Sequence, residues 1–279
     1  PADRLEQVRL AAAVRPDDAG QPRLDAQLGV SRPLRKQLWR QLVVAKVLAQ
    51  ARNLSPDLPA HRKLLALARE VRSGDPTNIE AQAARVYWSN WLWPLAAEEP
   101  QGPVPNFGSE KSRTDPLPAT DPLDFVFRRD PALPGLNSFL NYGYAVLRAA
   151  IARAIVAAGL LPSLGIHHRN RANAFCLADD LIEPLRPLVD DRVREMHRQG
   201  YDELNQPAKA ELLRILEDRV RLGNEVGPLM VTLHRYVASL VRCFTGDERE
   251  LQIPLAHNDD ALAAPIVPLP FDGEGLGEG

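Results

Sequence analysis

The segment from Gly165 to Pro184 gathers side chains that could do chemistry. His167 and His168 precede a basic, amide-rich stretch containing Arg169, Asn170, Arg171 and Asn173, and Asp179 and Asp180 then lie one helical turn before Glu183. An imidazole combined with hard carboxylate oxygens is a ligand set for a divalent cation. Helix geometry sets a condition. If residues 168–183 formed one straight helix, His168 and Glu183 would lie ~22 Å apart, at ~1.5 Å of rise per residue. A single ion needs both within ~2.5 Å of itself. Either the two do not share an ion or the chain bends between them, and Asn170–Asn173 is where a bend fits. The same residues also fit a plainer reading, in which the histidine pair closes a helix end and the acids form a solvated face. Glu80, followed by Ala81, Ala83 and Ala84, reads by itself as a surface helix residue.

The elements that must position these groups are helical. Leu34, Leu38, Trp39, Leu42, Val43 and Ala45 recur on one helical face from Pro33 onward, and Pro56 and Pro59 close that helix. A second helix is expected from about His61 to Val71, ending near Gly74. Asp75 and Pro76 read as the N-cap and first position of a third, which carries Glu80 and runs to about Trp91. Helical pattern returns over Leu136–Leu160. Another helix is expected from about Arg171–Asp180 to Arg198, interrupted or kinked at Pro184 and Pro187. Ala208–Leu222 and Leu229–Phe244 complete the set. Alternating β-branched runs are scarce. The expected class is mainly α, with at most a small β remnant at the N-terminus. Three regions are expected: residues 1–33 as a remnant or linker, 34–245 as a helical body with a mobile loop at 94–122, and 246–279 as an acidic tail rich in Pro and Gly, disordered alone.

Of 279 residues, 34 are basic and 36 acidic, a net charge of −2. That near-neutrality is a sum of unlike parts. From Gly246 onward eight acids face Arg249 alone, a local charge of −7, so the rest of the chain carries +5. Only five of the basic residues are lysine. Arginine is the better bidentate phosphate ligand, so the bias permits nucleic-acid binding. Two cysteines, Cys176 and Cys243, cannot build a disulfide framework or a four-ligand zinc site, and a reduced, cytoplasmic setting is expected. The most apolar stretch, Ala145–Ile166, is broken by Arg148, Arg153 and Pro162, which excludes a membrane span there. A phosphate-binding GxxxxGK loop, dinucleotide fingerprints, a nucleophile elbow and HExxH are all absent, which takes most of the weight from those enzyme classes.

Three motifs together carry a resemblance. They are Asp75-Pro76-Thr77-Asn78-Ile79-Glu80, the run Leu136-Asn137-Ser138-Phe139-Leu140-Asn141-Tyr142-Gly143-Tyr144, and the His167–Pro187 segment closing on Glu183-Pro184-Leu185-Arg186-Pro187. In this order they resemble CRISPR-associated protein one, the metal-dependent integrase of CRISPR adaptation, in its type II form. The resemblance spans roughly Trp39 to Phe244 and implies a helical catalytic lobe. It implies that Glu80, His168 and Glu183 are the metal ligands and catalytic residues, with Mg²⁺ or Mn²⁺ as cofactor. His167 and Asp180 would stand behind them. Arg169, Arg171, Arg186, Asn141 and Tyr142 match positions where the family contacts DNA, although Arg171 and Arg186 fit structural ion pairs equally, and Tyr142 and Tyr144 fit core packing.

The implied reaction is attack by a DNA 3′-hydroxyl on a phosphodiester, which inserts spacer DNA into a CRISPR array. The implied partners are double-stranded prespacer DNA with 3′ ends, leader–repeat DNA, a second copy in a homodimer, CRISPR-associated protein two, and other type II adaptation proteins; no membrane is involved. The acidic tail would engage the second protein or serve only as a solubilising segment. The family carries a β-rich domain ahead of the helical lobe, and residues 1–33 would be its remnant or linker. Two alternatives stand beside this reading: an inactive DNA-binding scaffold of an adaptation complex, and a transposon-borne integrase of the same family.

Overall fold

The computed structural model describes residues 21–92 and 127–257. The chain opens with α1 (Gln21–Gly29) and α2 (Arg32–Arg52). Ser31 caps α2 by accepting from the Leu34 N–H, and Pro33 sits in its first turn, where no backbone donor is missed. One face of α2 buries Leu38, Leu42, Lys46 and Gln50 at successive four-residue spacings, with Trp39, Val43 and Val47 beside them. The stripe is apolar except for Lys46 and Gln50. α3 (Pro59–Glu70) packs against α2, and α4 (Ile79–Trp88) against α3.

The start of α4 differs from expectation. Its N-cap is Asn78, in the left-handed conformation (φ 54°), and its side chain accepts from the Ala81 N–H. Asp75 caps from outside the helix: its carboxylate accepts from the N–H groups of Ile79 (2.8 Å) and Glu80 (3.0 Å). Two short polar side chains thus satisfy three orphan donors of one helix end, and Glu80 enters the first turn.

α5 (Leu136–Ala157) is the long central helix, packed against α6 (Cys176–Ile182), α7 (Arg186–Arg198) and α9 (Leu229–Thr245). A Cβ at Gly143 would overlap Val189 of α7, so glycine sets how closely α5 and α7 approach. The expected helix to Arg198 is interrupted at its prolines. A 3₁₀ turn, Glu183–Leu185, holds Pro184, and Pro187 opens α7.

The expected helix over Ala208–Leu222 is corrected. α8 (Gln206–Leu213) passes through a 3₁₀ turn into β1 (Arg219–Leu222), which pairs antiparallel with β2 (Glu225–Pro228) across Gly223 and Asn224. Gly223 has φ 60°, the left-handed value a two-residue hairpin turn requires. β3 (Leu255–Ala256) joins the other edge, giving the order β2–β1–β3. The small sheet therefore lies near the C-terminal end of the described chain. At the front, residues 21–29 are helical, and residues 1–20 lie outside the described residues. Part of the expected tail is also folded. Leu251 is buried, its N–H donates to Gln41 Oε1 (2.7 Å), and the Gln252 N–H donates to Ser239 Oγ (3.1 Å). The loop expected at 94–122 and the tail from 258 lie outside the described residues. Among the described residues no helix is long and apolar enough to cross a membrane. Both cysteines are buried and free.

Candidate active site

Of the two alternatives the sequence left open, the chain does bend between His168 and Glu183. Residues 166–175 form turns ahead of α6, and the Asn173 N–H donates to the Asn170 carbonyl. Asp180, fully buried on α6, organises the loop. Its Oδ2 accepts from the N–H groups of Ile166 (2.6 Å) and His167 (2.9 Å), and its Oδ1 accepts from the His168 N–H (3.2 Å) and from His168 Nδ1 (2.5 Å). With Asp180 Oδ1 as the acceptor, Nδ1 carries a proton, and in the neutral imidazole the lone pair is then at Nε2. Gly165 makes this wrap possible, because a Cβ there would run into the His168 carbonyl oxygen and stand 2.9 Å from Asp180 Oδ2. Trp39 stacks flat on His167 (4.1 Å between centroids) and meets His168 edge-on (5.8 Å). The hydrogen bond to Asp180 raises the His168 pKa, partial burial opposes it, and the charges of Asp180, Glu183 and Glu80 add to the rise.

Glu80 and Glu183, from α4 and the 3₁₀ turn, meet on one cation. Lys46 Nζ donates to Glu80 Oε1 (2.6 Å) and to Glu183 Oε2 (2.5 Å), and Arg186 Nε donates to Glu183 Oε1 (2.8 Å). Burial alone would depress the Lys46 ammonium, but the two carboxylates overcome it and hold its pKa above the ordinary value. Burial would likewise raise Glu183, and Lys46 and Arg186 hold it below the ordinary carboxylate value.

Beside this cluster lies a cavity of about 440 Å³ lined by His168, Glu183, Arg186, Arg129, Arg148 and Asn141, among others. Each arginine is held by neighbours. Arg129 donates to Asn137 Oδ1 (2.9 Å) and Asn141 Oδ1 (2.7 Å), and Arg148 donates to Asn173 Oδ1 (2.7 Å) and Asp179 Oδ2 (3.2 Å). The Tyr144 ring lies under the guanidinium of Arg186 (4.5 Å) and near that of Arg129 (5.4 Å). The Tyr144 hydroxyl donates to Asp190, a wholly buried carboxyl that desolvation pushes up to about 7. A pocket walled by fixed guanidinium groups suits phosphates.

The residues singled out in the sequence thus divide. Glu183, His168, Arg186 and Asn141 line one cavity, and Glu80 joins Glu183 through Lys46. Asp180 stands behind His168, and His167 is held on Trp39. Arg186 is both an ion-pair partner of Glu183 and a cavity wall. Asn141 positions Arg129. Arg169 and Arg171 are exposed on the loop and do not line the cavity, and Tyr142 packs partly buried against the core. Among the described residues no three His, Cys, Asp or Glu side chains form a ready coordination cluster. The donor set nonetheless fits a hard divalent ion. Lys46 is a stand-in cation, on which an oxygen from each of Glu80 and Glu183 already converges, and the lone pair of His168 is left at Nε2. Sequence reasoning missed Lys46, whose signal was a lone charge on the buried stripe of α2. It also missed Arg129 and Asp190, for which the sequence carries no comparable signal.

Comparison with known proteins follows the same lines. The profile of the family described as CRISPR associated protein Cas1 matches residues 116–211. The CRISPR-associated endonuclease Cas1 of Neisseria meningitidis serogroup C (strain 8013) is 36% identical over 237 residues, covering 83% of this chain and 67% of that protein. A CRISPR-associated endonuclease Cas1 of Francisella tularensis subsp. novicida is 46% identical over 65 residues, 23% of this chain and 20% of that protein. Among solved structures, a casposase bound to integration product superimposes with a TM-score of 0.61 at 19% identity, covering 85% of this chain and 72% of that one. A partial Cas6-RT-Cas1–Cas2 complex gives 0.60 at 17% identity, covering 82% of this chain and 72% of that one. At such identities the superpositions speak to the fold.

Proposed function

The chain belongs to the Cas1 family of CRISPR-associated endonucleases, and we propose that it is a divalent-metal-dependent DNA integrase and endonuclease that inserts spacer DNA into a CRISPR array. The observation that carries this reading is the meeting of Glu80 and Glu183 on one cation beside His168, at the wall of an arginine-lined cavity. Glu80, Glu183 and His168 Nε2 would hold Mg²⁺ or Mn²⁺. When bound, such an ion lowers the pKa of an attacking hydroxyl and offsets charge at the phosphorus.

The nucleophile belongs to the substrate. The 3′-oxygen of the incoming DNA forms a new bond to a target phosphorus, the bond from that phosphorus to the neighbouring 3′-oxygen breaks, and the proton released by the attacking hydroxyl balances the one taken up by the leaving oxygen. The protein's share is placement. Arg129, Arg148 and Arg186 hold phosphate oxygens in register, and Asp180 fixes the imidazole. Sequence preference then comes from DNA shape or from partners, since phosphate contacts carry none. The expected partners are prespacer DNA with 3′ ends, leader–repeat DNA, a second copy of the chain, CRISPR-associated protein two and other type II adaptation proteins. Two structural relatives support these partners, one a partial Cas6-RT-Cas1–Cas2 complex and the other a casposase bound to integration product.

The test is strand transfer on a leader–repeat substrate in Mn²⁺. Glu80→Ala and His168→Ala should abolish it while the circular dichroism spectrum stays native, and full strand transfer by folded His168→Ala would refute the mechanism. One observation favours a scaffold without activity: Lys46 already satisfies both carboxylates. Salt-sensitive DNA binding by wild type with no metal-dependent cleavage or joining would establish that second reading. Integration at targets other than a leader–repeat would favour a transposon-borne integrase.

A further inference from the structure

Four groups in direct contact at this site cancel one another's charge. Glu80 and Glu183 share the Lys46 ammonium, and Glu183 also holds Arg186. Lys46 is not a surface lysine that has strayed. It occupies the Leu38–Leu42–Lys46–Gln50 stripe of a long, capped helix, its side chain is 11% exposed, and its ammonium lies between carboxylates from two other elements. The stem lies on the buried face of α2 and carries the ammonium to the two carboxylates.

A divalent ion entering between Glu80 and Glu183 therefore meets two positive charges already in place, and adding it to a neutral cluster leaves an excess of two. The neighbouring arginines sharpen the problem. Arg129 lines the same cavity and is held by the neutral Asn137 and Asn141, whereas the charge of Arg148 is matched by Asp179. Two further carboxyls stand near the cluster but are already engaged: Asp180 accepts from the His168 ring and from three backbone N–H groups, and the buried Asp190 accepts from the Tyr144 hydroxyl. The anion that can restore balance is the one the cavity is shaped to take, a nucleic-acid phosphate, which would also receive the displaced ammonium.

We propose that Lys46 is a built-in counter-cation that couples metal loading to DNA binding: it holds the two carboxylates together, competes with the divalent ion for them, and yields only when a DNA phosphate arrives with the ion. This rests on the metal site proposed above. Coupling of this kind is reciprocal, so DNA should tighten the ion by the same factor as the ion tightens DNA.

The experiment measures Mn²⁺ binding by electron paramagnetic resonance of the free ion, with and without a short branched DNA, for wild type, Lys46→Met and Glu183→Gln. DNA alone supplies the background. Wild type should bind Mn²⁺ weakly by itself and about 10-fold or more tightly with DNA. Lys46→Met should bind Mn²⁺ about 10-fold or more tightly than wild type without DNA, with the DNA dependence largely lost. Its melting temperature should fall without Mn²⁺ and recover more than that of wild type when Mn²⁺ is added. Wild-type binding that is equally tight with and without DNA overturns the coupling, whatever the variants do. A folded Lys46→Met that binds Mn²⁺ no better than wild type overturns the role of Lys46. Should Lys46→Met fail to fold, Lys46→Gln removes the charge with a smaller loss of polarity and is read in the same way. Failure of the site itself has a different signature: Glu183→Gln then binds Mn²⁺ as wild type does, and both proposals fall.

Discussion

Replacing Asp180 by asparagine puts an NH₂ in place of one oxygen of a carboxylate that accepts four hydrogen bonds. The carboxylate accepts from the Ile166 and His167 N–H groups through Oδ2, and from the His168 N–H and Nδ1 through Oδ1. In either orientation the new amide puts an NH₂ where an acceptor stood. If it faces Ile166 and His167, two backbone donors, the first of them buried, oppose a third. If it faces His168, the backbone N–H is opposed, and the imidazole can restore its own bond only by moving its proton from Nδ1 to Nε2. That removes the Nε2 lone pair on which the proposed metal binding depends. Hydrogen bonds to a charged group contribute about 1.5–3 kcal/mol each, so losing two costs about 3–6 kcal/mol. Urea unfolding measures this loss directly, and strand transfer should fall about 10–100-fold even where the variant is fully folded. The ¹⁵N shifts of His168 report the tautomer. An Asp180→Asn protein that unfolds within about 1 kcal/mol of wild type and keeps both its tautomer and its activity would refute the argument.

Asp190 supplies a pH test. Its folded pKa stands near 7 against an ordinary 3.8, so between those values the folded protein keeps a proton that the unfolded chain releases, and stability falls as pH rises through that window. Asp190→Asn cannot ionise, so its stability relative to wild type should climb by about 4 kcal/mol from pH about 4 to above about 7, read from urea midpoints; a constant difference would contradict the buried charge. Gly143→Ala should destabilise by about 1–3 kcal/mol through the overlap with Val189, and Val189→Ala in the same chain should recover part of that loss in a double-mutant cycle. Arg129→Ala should weaken DNA binding evenly across sequences and reduce the salt-dependence slope by about 1, whereas loss confined to one sequence would show base reading instead.

The helices were legible where apolar periodicity ran long. The stripe from Leu38 to Val47 and the run from Leu136 appear close to their expected limits, because many buried side chains share one face and each supports the same answer. The hairpin at β1–β2 was not legible as such. Arg219-Val220-Arg221-Leu222 alternates over only four residues, and the preceding Ala208–Leu213 stretch extended a helical reading across it. The Gly223-Asn224 pair was the available signal, a turn that accepts positive φ. Asp75 illustrates a smaller gap. Its residue type marked a helix start, but that the chain would turn twice, at Asp75 and Asn78, before α4 begins depends on three-dimensional fit.

The order of Glu80, His168 and Glu183, the bend between the last two, and the family itself could be read from residue types and motifs, because those are properties of neighbours along the chain. How the charges are matched could not. Lys46 lies 34 residues from Glu80 and 137 from Glu183, and it meets both only because α2 packs between the elements that carry them. The same holds for Asp180 beneath His168 and for Asp190 beneath Tyr144. A sequence states which side chains exist and which face of a helix they share. Which buried charge meets which counter-charge is decided when helices pack, since the energy of a charge depends on its distance to partners and its removal from water, and both are set by the tertiary fold.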